Sequence, residues 1–277
     1  QYGWDLYAHQ WVQTMPLESL RPLTDKTLSF GLLNDVEQWT LLDPVYKAYT
    51  KDLCGYAERG EKEWKRLLGS FFAEGVNIAV VKNDEGQIEG YAVYRLGAPE
   101  IPVTEFVYTT RRAQRGLLNY FYNHRSQGES IRWNEGLHDT GYRFVPDGKT
   151  GHTTMPYMMA RIVDVETALT TVPVNPEAVM MPITLNIKVT DTLCDWNNGV
   201  FALTLGESTL PNVKRVSAES VDEIDITIDI GGLTVLLMGA VSAKDLVFEG
   251  KLQGESHWID YLDMVYPKEN TYINEWW

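Results

Sequence analysis

Residues 103–124 read VTEFVYTTRRAQRGLLNYFYNH. Val103 to Thr110 is β-branched and aromatic, the composition of a strand, and Leu117, Tyr120, Phe121 and His124 then recur at helical spacing. On the N-terminal side, VNIAVVK (76–82) and QIEGYAVYRL (87–96) flank Asn83-Asp84-Glu85-Gly86, a hairpin turn whose glycine suits a left-handed position. On the C-terminal side, Ile131 and Trp133 alternate after Gly128 and predict one more strand. Strand, helix, strand is a βαβ unit, here joined to a hairpin. Two helices are expected before it. Asp43-Pro44 offers an N-cap and a first-turn proline, followed by Val45, Tyr49, Leu53 and Tyr56 on one face. The other starts near Gly60 and aligns Trp64, Leu67, Leu68 and Phe71. Residues 1–42, punctuated by Pro16 and Pro22, read as irregular.

VPDGKTGHTTMP (145–156) reads as a loop between two halves. Beyond it, YMMARIVDV (157–165) reads as a strand and ETALTTV (166–172) as a short helix capped by Asp164. Ile183, Leu185, Ile187 and Val189 alternate strictly and pair with VFALTLG (200–206). Ile224, Ile226, Ile228 and Ile230 form a third alternation with Asp225, Thr227 and Asp229 on a wet face. Gly231-Gly232 ends that strand, and Leu233, Leu236, Leu237 and Val241 mark a buried helix. A last helix starts at Ser256, carries Trp258, Tyr261, Leu262 and Val265, and stops before Pro267. The expected fold class is α+β.

The chain of 277 residues accommodates two domains, and 44 % hydrophobic residues supply a core for each. Its net charge of −14 disfavours nucleic acid and anionic membranes as partners and attracts cations. The charge is uneven: net −11 falls on 157–277 and −3 on 1–156. Cys54 and Cys194 stand outside any C-x-x-C pattern and read as reduced, buried thiols of a cytoplasmic protein. The longest apolar stretch, Gly231 to Val241, is too short to span a bilayer.

Most catalytic signatures are missing. His9, His124, His138, His152 and His257 form no H-x-x-x-H pair or Cys/His cluster, so no metal site is expected. There is no G-x-S-x-G elbow, Walker loop or G-x-G-x-x-G. His138-Asp139 reads either as an orienting pair or as a solvated loop, the second being the commoner case. The strand-to-helix turn at 108–116 could hold a pyrophosphate on free backbone N–H groups. With Gly116 as its single glycine it lacks the open cradle of phosphate loops, and Arg111, Arg112 and Arg115 read better as solvating an exposed turn. The C-terminal end is a second candidate. A terminal carboxylate, with an unperturbed pKa of roughly 3.5, is a base that burial strengthens. Here it follows Glu275, Trp276 and Trp277, and two tryptophans at an end imply docking rather than fraying.

Four features together carry a resemblance: YGWDLY (2–7), MPYMMARIVDV (155–165), the alternating-strand region after it, and the ending TYINEWW (271–277). With these the chain resembles the later two-thirds of an Eis-type (enhanced intracellular survival) N-acetyltransferase of the GNAT superfamily. The resemblance implies a remnant of a first, acetyl-CoA-binding GNAT domain at 1–19. It further implies a degenerate GNAT-like domain at 20–155 and a sterol-carrier-protein-like α+β domain at 156–277. Such donor sites use R/Q-x-x-G-x-G/A after a strand. Aligning Gly116 puts Ala113 where Arg or Gln belongs and Leu118 where Gly or Ala belongs, so the turn looks like a relic. The tyrosine that often serves as general acid would fall before Gln1, and Tyr2 does not take its place.

The resemblance also implies that the α-carboxylate of Trp277 is the general base toward a substrate amine, with Glu275 and Trp276 as pocket wall. The implied substrates are cationic amines of aminoglycoside or polyamine type, held by charge and cation–π contact. Acetyl-CoA is the cofactor of the intact parent, and none is expected for this chain alone, which should be inactive in isolation. The family also implies a homo-oligomer, with a hexamer among the forms. The rival reading is a lipid or sterol carrier module with Leu233, Leu236, Leu237 and Trp258 lining a tunnel, although such residues are more often plain core; an oligomerisation scaffold is a further one.

Overall fold

The computed structural model describes residues 2–139, 151–179, 181–206 and 210–275. The stretch 103–124 folds as expected. Strand β5 (Glu100–Tyr108) runs into a helix over Arg111–Tyr122, where Thr110 caps the helix by accepting from the Ala113 N–H at 3.0 Å. Strand β6 (Ser130–Gly136) returns parallel to β5, paired over Glu100–Val103 with Ser130–Trp133. The hairpin β3 (Asn77–Lys82) and β4 (Ile88–Tyr94) is antiparallel, with Gly86 at φ 81° in its turn. The Asn83 side chain holds that turn by accepting from the N–H groups of Glu85 and Gln87.

Residues 1–42 depart from the expectation of irregular chain. Asp5–Pro16 forms β1, a strand of 12 residues, and Ser29–Leu33 forms β2. With β7 (Gly151–Ala160) they complete a seven-stranded sheet in the order β2-β3-β4-β5-β6-β1-β7. Strand β7 also corrects the second half of the 145–156 loop, whereas 140–150 lie outside the described residues. As an edge strand it accommodates Pro156, which has no N–H to give to a ladder.

Helix α1 spans Trp39–Thr50, so Pro44 lies inside it rather than at its start. The capping carboxylate is Asp35, which with Gln38 closes a capping box on the 3-10 turn Val36–Gln38. Asp43 has other duties: its carboxylate accepts from the Trp64 indole at 3.0 Å and pairs with Lys47 at 2.7 Å. Helix α2 (Glu61–Ala73) begins after Gly60 as expected and buries Trp64 and Leu68. Alternation in β3 divides the core. Ala79 and Val81 join Leu20, Leu117 and Phe121 on the face covered by α3 (Arg111–Tyr122). Ile78 and Val80 join Leu42, Val45 and Trp64 under α1 and α2. This unit comprises residues 9–156 together with 272–275.

The other unit, residues 2–8 with 157–271, is built on a five-stranded sheet. Strands β8 (Ile183–Thr190) and β9 (Gly199–Leu205) form the expected antiparallel pair, and β10 (Asn212–Val216) extends it. Strand β11 (Ile226–Asp229) lies parallel to β8 and antiparallel to β12 (Leu252–Gly254). Asp164 caps α4 (Val165–Thr171) as expected, accepting from the Thr167 N–H at 2.7 Å. Gly231 and Gly232 open the buried helix α5 (Ile230–Leu237) instead of lying ahead of it, because Asp229 caps Gly232 at 2.6 Å. A short helix α6 (Ala243–Phe248), closed by a Ser242–Asp245 capping box, precedes the expected last helix α7 (Ser256–Val265).

Arg161, inside the MMARIVDV stretch, explains part of that motif. Its guanidinium donates to Asp191 at 2.7 Å and to Cys194 Sγ at 3.1 Å. Burial works against the charge of Asp191, but hydrogen bonds from Asn197, Arg161 and the backbone of Leu193 and Cys194 hold its carboxyl down at about 2. Cys54 and Cys194 are half-buried rather than buried.

Candidate functional site

The strand-to-helix turn can be judged by what its groups touch. The Thr110 hydroxyl already occupies the cap that a phosphate would need. Arg115 donates to the carbonyls of Leu23 and Thr24 at 3.1 Å each. Arg112 donates to the Thr27 hydroxyl and reaches Asp84 at 3.2 Å, and Arg111 donates to Gln114. At Gly116 an added Cβ would stand 2.7 Å from Leu28 Cδ1, so the glycine admits a packed leucine, not a ligand backbone. The turn therefore does not fit acetyl-CoA: its cap, glycine and arginines serve the chain's own structure.

The C-terminal segment has the opposite character. Tyr272, Ile273 and Asn274 are buried in the seven-stranded unit. The Tyr272 N–H donates to the Cys54 carbonyl at 2.9 Å. Gln10, on β1, donates to the carbonyl of Ile273 at 2.9 Å and to Asn274 Oδ1 at 3.3 Å. Asn274 Nδ2 donates to the Thr104 carbonyl at 2.6 Å, immediately beyond Val103, the last residue of β5 paired with β6.

At Glu275 the segment meets Arg59, which is 7 % exposed. Arg59 Nε donates to Glu275 Oε1 at 2.7 Å, and Nη2 lies 2.7 Å from the same oxygen. Nη2 and Nη1 donate to the two oxygens of Glu105 at 2.6 and 3.2 Å. The Tyr91 hydroxyl donates to Glu105 Oε2 at 2.7 Å. The guanidinium carbon stands 4.1 Å from the Tyr46 ring centroid and 4.7 Å from that of Trp64. Burial works against the charge of Arg59, yet the facing Glu105 carboxylate holds its pKa well above the usual arginine value. Two carboxylates share one guanidinium.

Of the expected site residues, the structure places Glu275 in this cluster, while Trp276 and Trp277 lie outside the described residues. Arg59 and Glu105 escaped the sequence reading. Glu105 carries a signal, a lone carboxylate inside an apolar strand; Arg59 carries none, sitting among other polar residues. His138 packs edge-on against Tyr49 and Tyr272, with ring centroids 5.7 and 6.1 Å apart. Burial pushes its pKa down and leaves its Nδ1 without a hydrogen-bond partner, so it is a neutral wall beside the tail. Among the described residues, no group of three or more His, Cys, Asp or Glu is arranged to hold a metal ion, and no helix is long and apolar enough to cross a membrane.

In the other unit, Leu233 and Leu236 are buried core at 1 and 2 % exposure, and Leu237 and Trp258 are half-buried. A cleft of about 280 Å³ lies elsewhere, between Trp4, Asp5, Thr190, Asp229 and Lys251. Its walls mix polar and apolar surface, and Lys251 is paired there with Asp5 at 2.6 Å.

Comparison with known proteins follows the same division. Residues 55–162 match the family described as an acetyltransferase (GNAT) domain, and 165–274 match a sterol carrier protein domain. No curated protein matches the sequence. Among solved structures, the chain is similar to a probable N-acyltransferase from Enterococcus faecalis, with TM-score 0.86 and 23 % identity over 100 % of this chain and 69 % of that one. A GCN5-related N-acetyltransferase from Anabaena variabilis superposes at 0.80 with 18 % identity, over the same shares of the two chains, 100 % and 69 %. Eis1 of Mycobacterium abscessus superposes at 0.66 with 19 % identity, again over 100 % and 69 %. These likenesses show the fold. The chain carries a GNAT-type acetyltransferase domain followed by a sterol-carrier-protein-like domain.

Proposed function

We propose that this chain is the acceptor-side part of an Eis-like, acetyl-CoA-dependent N-acetyltransferase acting on amines of a cationic small molecule, of aminoglycoside or polyamine type. The observation that carries the reading is the C-terminal segment, buried in the GNAT-type unit and ending its described course where two carboxylates meet one guanidinium. An ammonium has no lone pair with which to attack a thioester. The α-carboxylate of Trp277 takes the proton, and the freed amine nitrogen becomes the nucleophile. Glu275 and Trp276 form the wall that receives the cation, through the carboxylate and the indole face. The acetyl donor binds outside this chain, since the turn at 108–116 has no free cap or cradle for it. A homo-oligomer completes the proposal.

Calorimetry with acetyl-CoA tests the division of labour. No binding is expected at micromolar concentrations, and a micromolar Kd for this chain would overturn it. Deleting Trp277 from the intact enzyme should cut kcat at least about 100-fold, the scale of general-base catalysis. An unchanged kcat would remove the terminal base from the reading.

A further inference from the structure

The cleft of the five-stranded unit holds about 280 Å³, under the roughly 300–1,000 Å³ of pockets for drug-sized ligands, and so has room for a single ring or a short chain. Its walls come from Gly3 to Asp5, from Thr190 and Thr192 at the end of β8, from the turn of β11 into α5, and from Lys251. The first of these is fixed in place. Arg161, already paired with Asp191, donates through Nη1 to the Tyr2 carbonyl. Gly3 then turns with φ 74°, where a Cβ would overlap Arg161 Nη1 and stand 2.6 Å from Ile230 Cγ2. Only glycine lets the chain pass so close to α5. The next residue, Trp4, lines the cleft with an indole that is 50 % exposed.

The polar groups of the cleft divide into spent and free. Lys251 Nζ is held by Asp5 at 2.6 Å and by Glu249 at 2.9 Å. The other oxygen of Asp5 accepts from the Leu6 N–H at 2.9 Å. Asp229 gives Oδ1 to the Gly232 N–H at 2.6 Å, and its Oδ2 has no partner among the described residues. Thr190 and Thr192 are exposed. Gly231 leaves the space between the carboxylates open, since a Cβ there would stand 3.3 Å from Asp5 Oδ2 and 3.4 Å from Asp229 Oδ1. A spent ammonium and a free carboxylate oxygen oppose an anion and suit a cation. We propose that this cleft binds a small amine: an ammonium that donates to Asp229 Oδ2, carried on a hydroxylated ring whose C–H face lies on the Trp4 indole and whose hydroxyls meet Thr190 and Thr192, as in an amino sugar. Binding there needs no acetyl donor and no residue of the C-terminal segment.

Glucosamine is the probe, titrated into the chain of 277 residues and followed through the indole N–H signals by NMR, with glucose as the uncharged control. The Trp4 signal, identified by its loss in Trp4→Ala, is expected to shift with half-saturation at about 2 mM, the scale for a single-ring ligand. Glucose lacks the ammonium and should bind about tenfold more weakly. Asp229→Asn keeps an acceptor for the Gly232 N–H, so α5 keeps its cap, and should weaken glucosamine about tenfold while leaving glucose within about twofold. Trp4→Ala changes an exposed position and should weaken both sugars, read by saturation transfer to the sugar protons. A Trp4 signal that stays in place at about ten times the expected half-saturation, equal affinity for the two sugars, or unaltered glucosamine affinity in either variant would overturn the amine site.

Discussion

Replacing Arg59 by Met keeps the length and apolar bulk of the side chain and removes the charge. Glu105 and Glu275, whose side chains are 4 and 11 % exposed, then lose the guanidinium they share. Breaking a buried ion pair by removing one partner costs about 3–5 kcal/mol, because the surviving charge is left desolvated. Loss of the cation over Tyr46 and Trp64 adds about 1 kcal/mol. The Tyr91 hydroxyl still donates to Glu105 and offsets part of this. The expected loss is about 4 kcal/mol, which lowers the Tm of a unit this size by roughly 8–16 °C. Calorimetry at pH 7 should resolve it as a downward shift of the transition of the seven-stranded unit, with the other transition in place. Adding Glu105→Gln and Glu275→Gln to Arg59→Met removes the stranded charges and should recover at least half of the loss. A Tm within about 1 °C of the parent, or no recovery in the triple variant, would refute the reasoning.

Asp191 should report acid sensitivity in the other unit. Its carboxyl titrates at about 2 in the folded chain, below the ordinary 3.8, so its contribution is complete above pH 4 and disappears as pH falls through 2. The five-stranded unit should therefore lose about 2 kcal/mol in urea titrations between pH 4 and pH 2, and Asp191→Asn should abolish that component. Glu135 has the reverse sign: burial raises its pKa, so its charged form weakens the fold, and that loss sets in as pH rises through the folded pKa. Glu135→Gln, whose amide can donate to the orphaned Gln13 Oε1, should gain about 1 kcal/mol at pH 8 by urea titration. Gly116→Ala should cost about 1 kcal/mol against Leu28 despite the better helix propensity of alanine, and a stabilised variant in thermal melts would contradict the close packing.

The hairpin, the βαβ unit, the β8–β9 pair and the Asp164 cap were legible because each is local, announced by alternation or a cap within a few residues. β1 was not. It lies between β6 and β7, and its buried residues include Gln10 and Gln13, whose partners are Ile273, Asn274 and Glu135, so its sequence lacks the apolar run of an ordinary central strand. Asp43-Pro44 imitated a helix start because the same carboxylate that would cap a helix instead satisfies the Trp64 indole. Of the candidate site, the sequence pointed to the tail and to Glu275 but not to their partners. Arg59 meets Glu105 and Glu275 only through the folded sheet, and no spacing rule connects residues so far apart.

The pairing of Arg59 with Glu275 also bears on biosynthesis. A chain growing at 5–20 residues per second adds the 216 residues between them in about 10–40 s, and the tail leaves the ribosome later still. Throughout that interval the GNAT-type unit lacks its closing segment, Gln10 lacks the Ile273 and Asn274 acceptors, and the carbonyl of Thr104 lacks the Asn274 donor. Completion of this unit therefore waits until residues 272–275 have been made. A product truncated before residue 272 carries a unit in which these groups stay unmet.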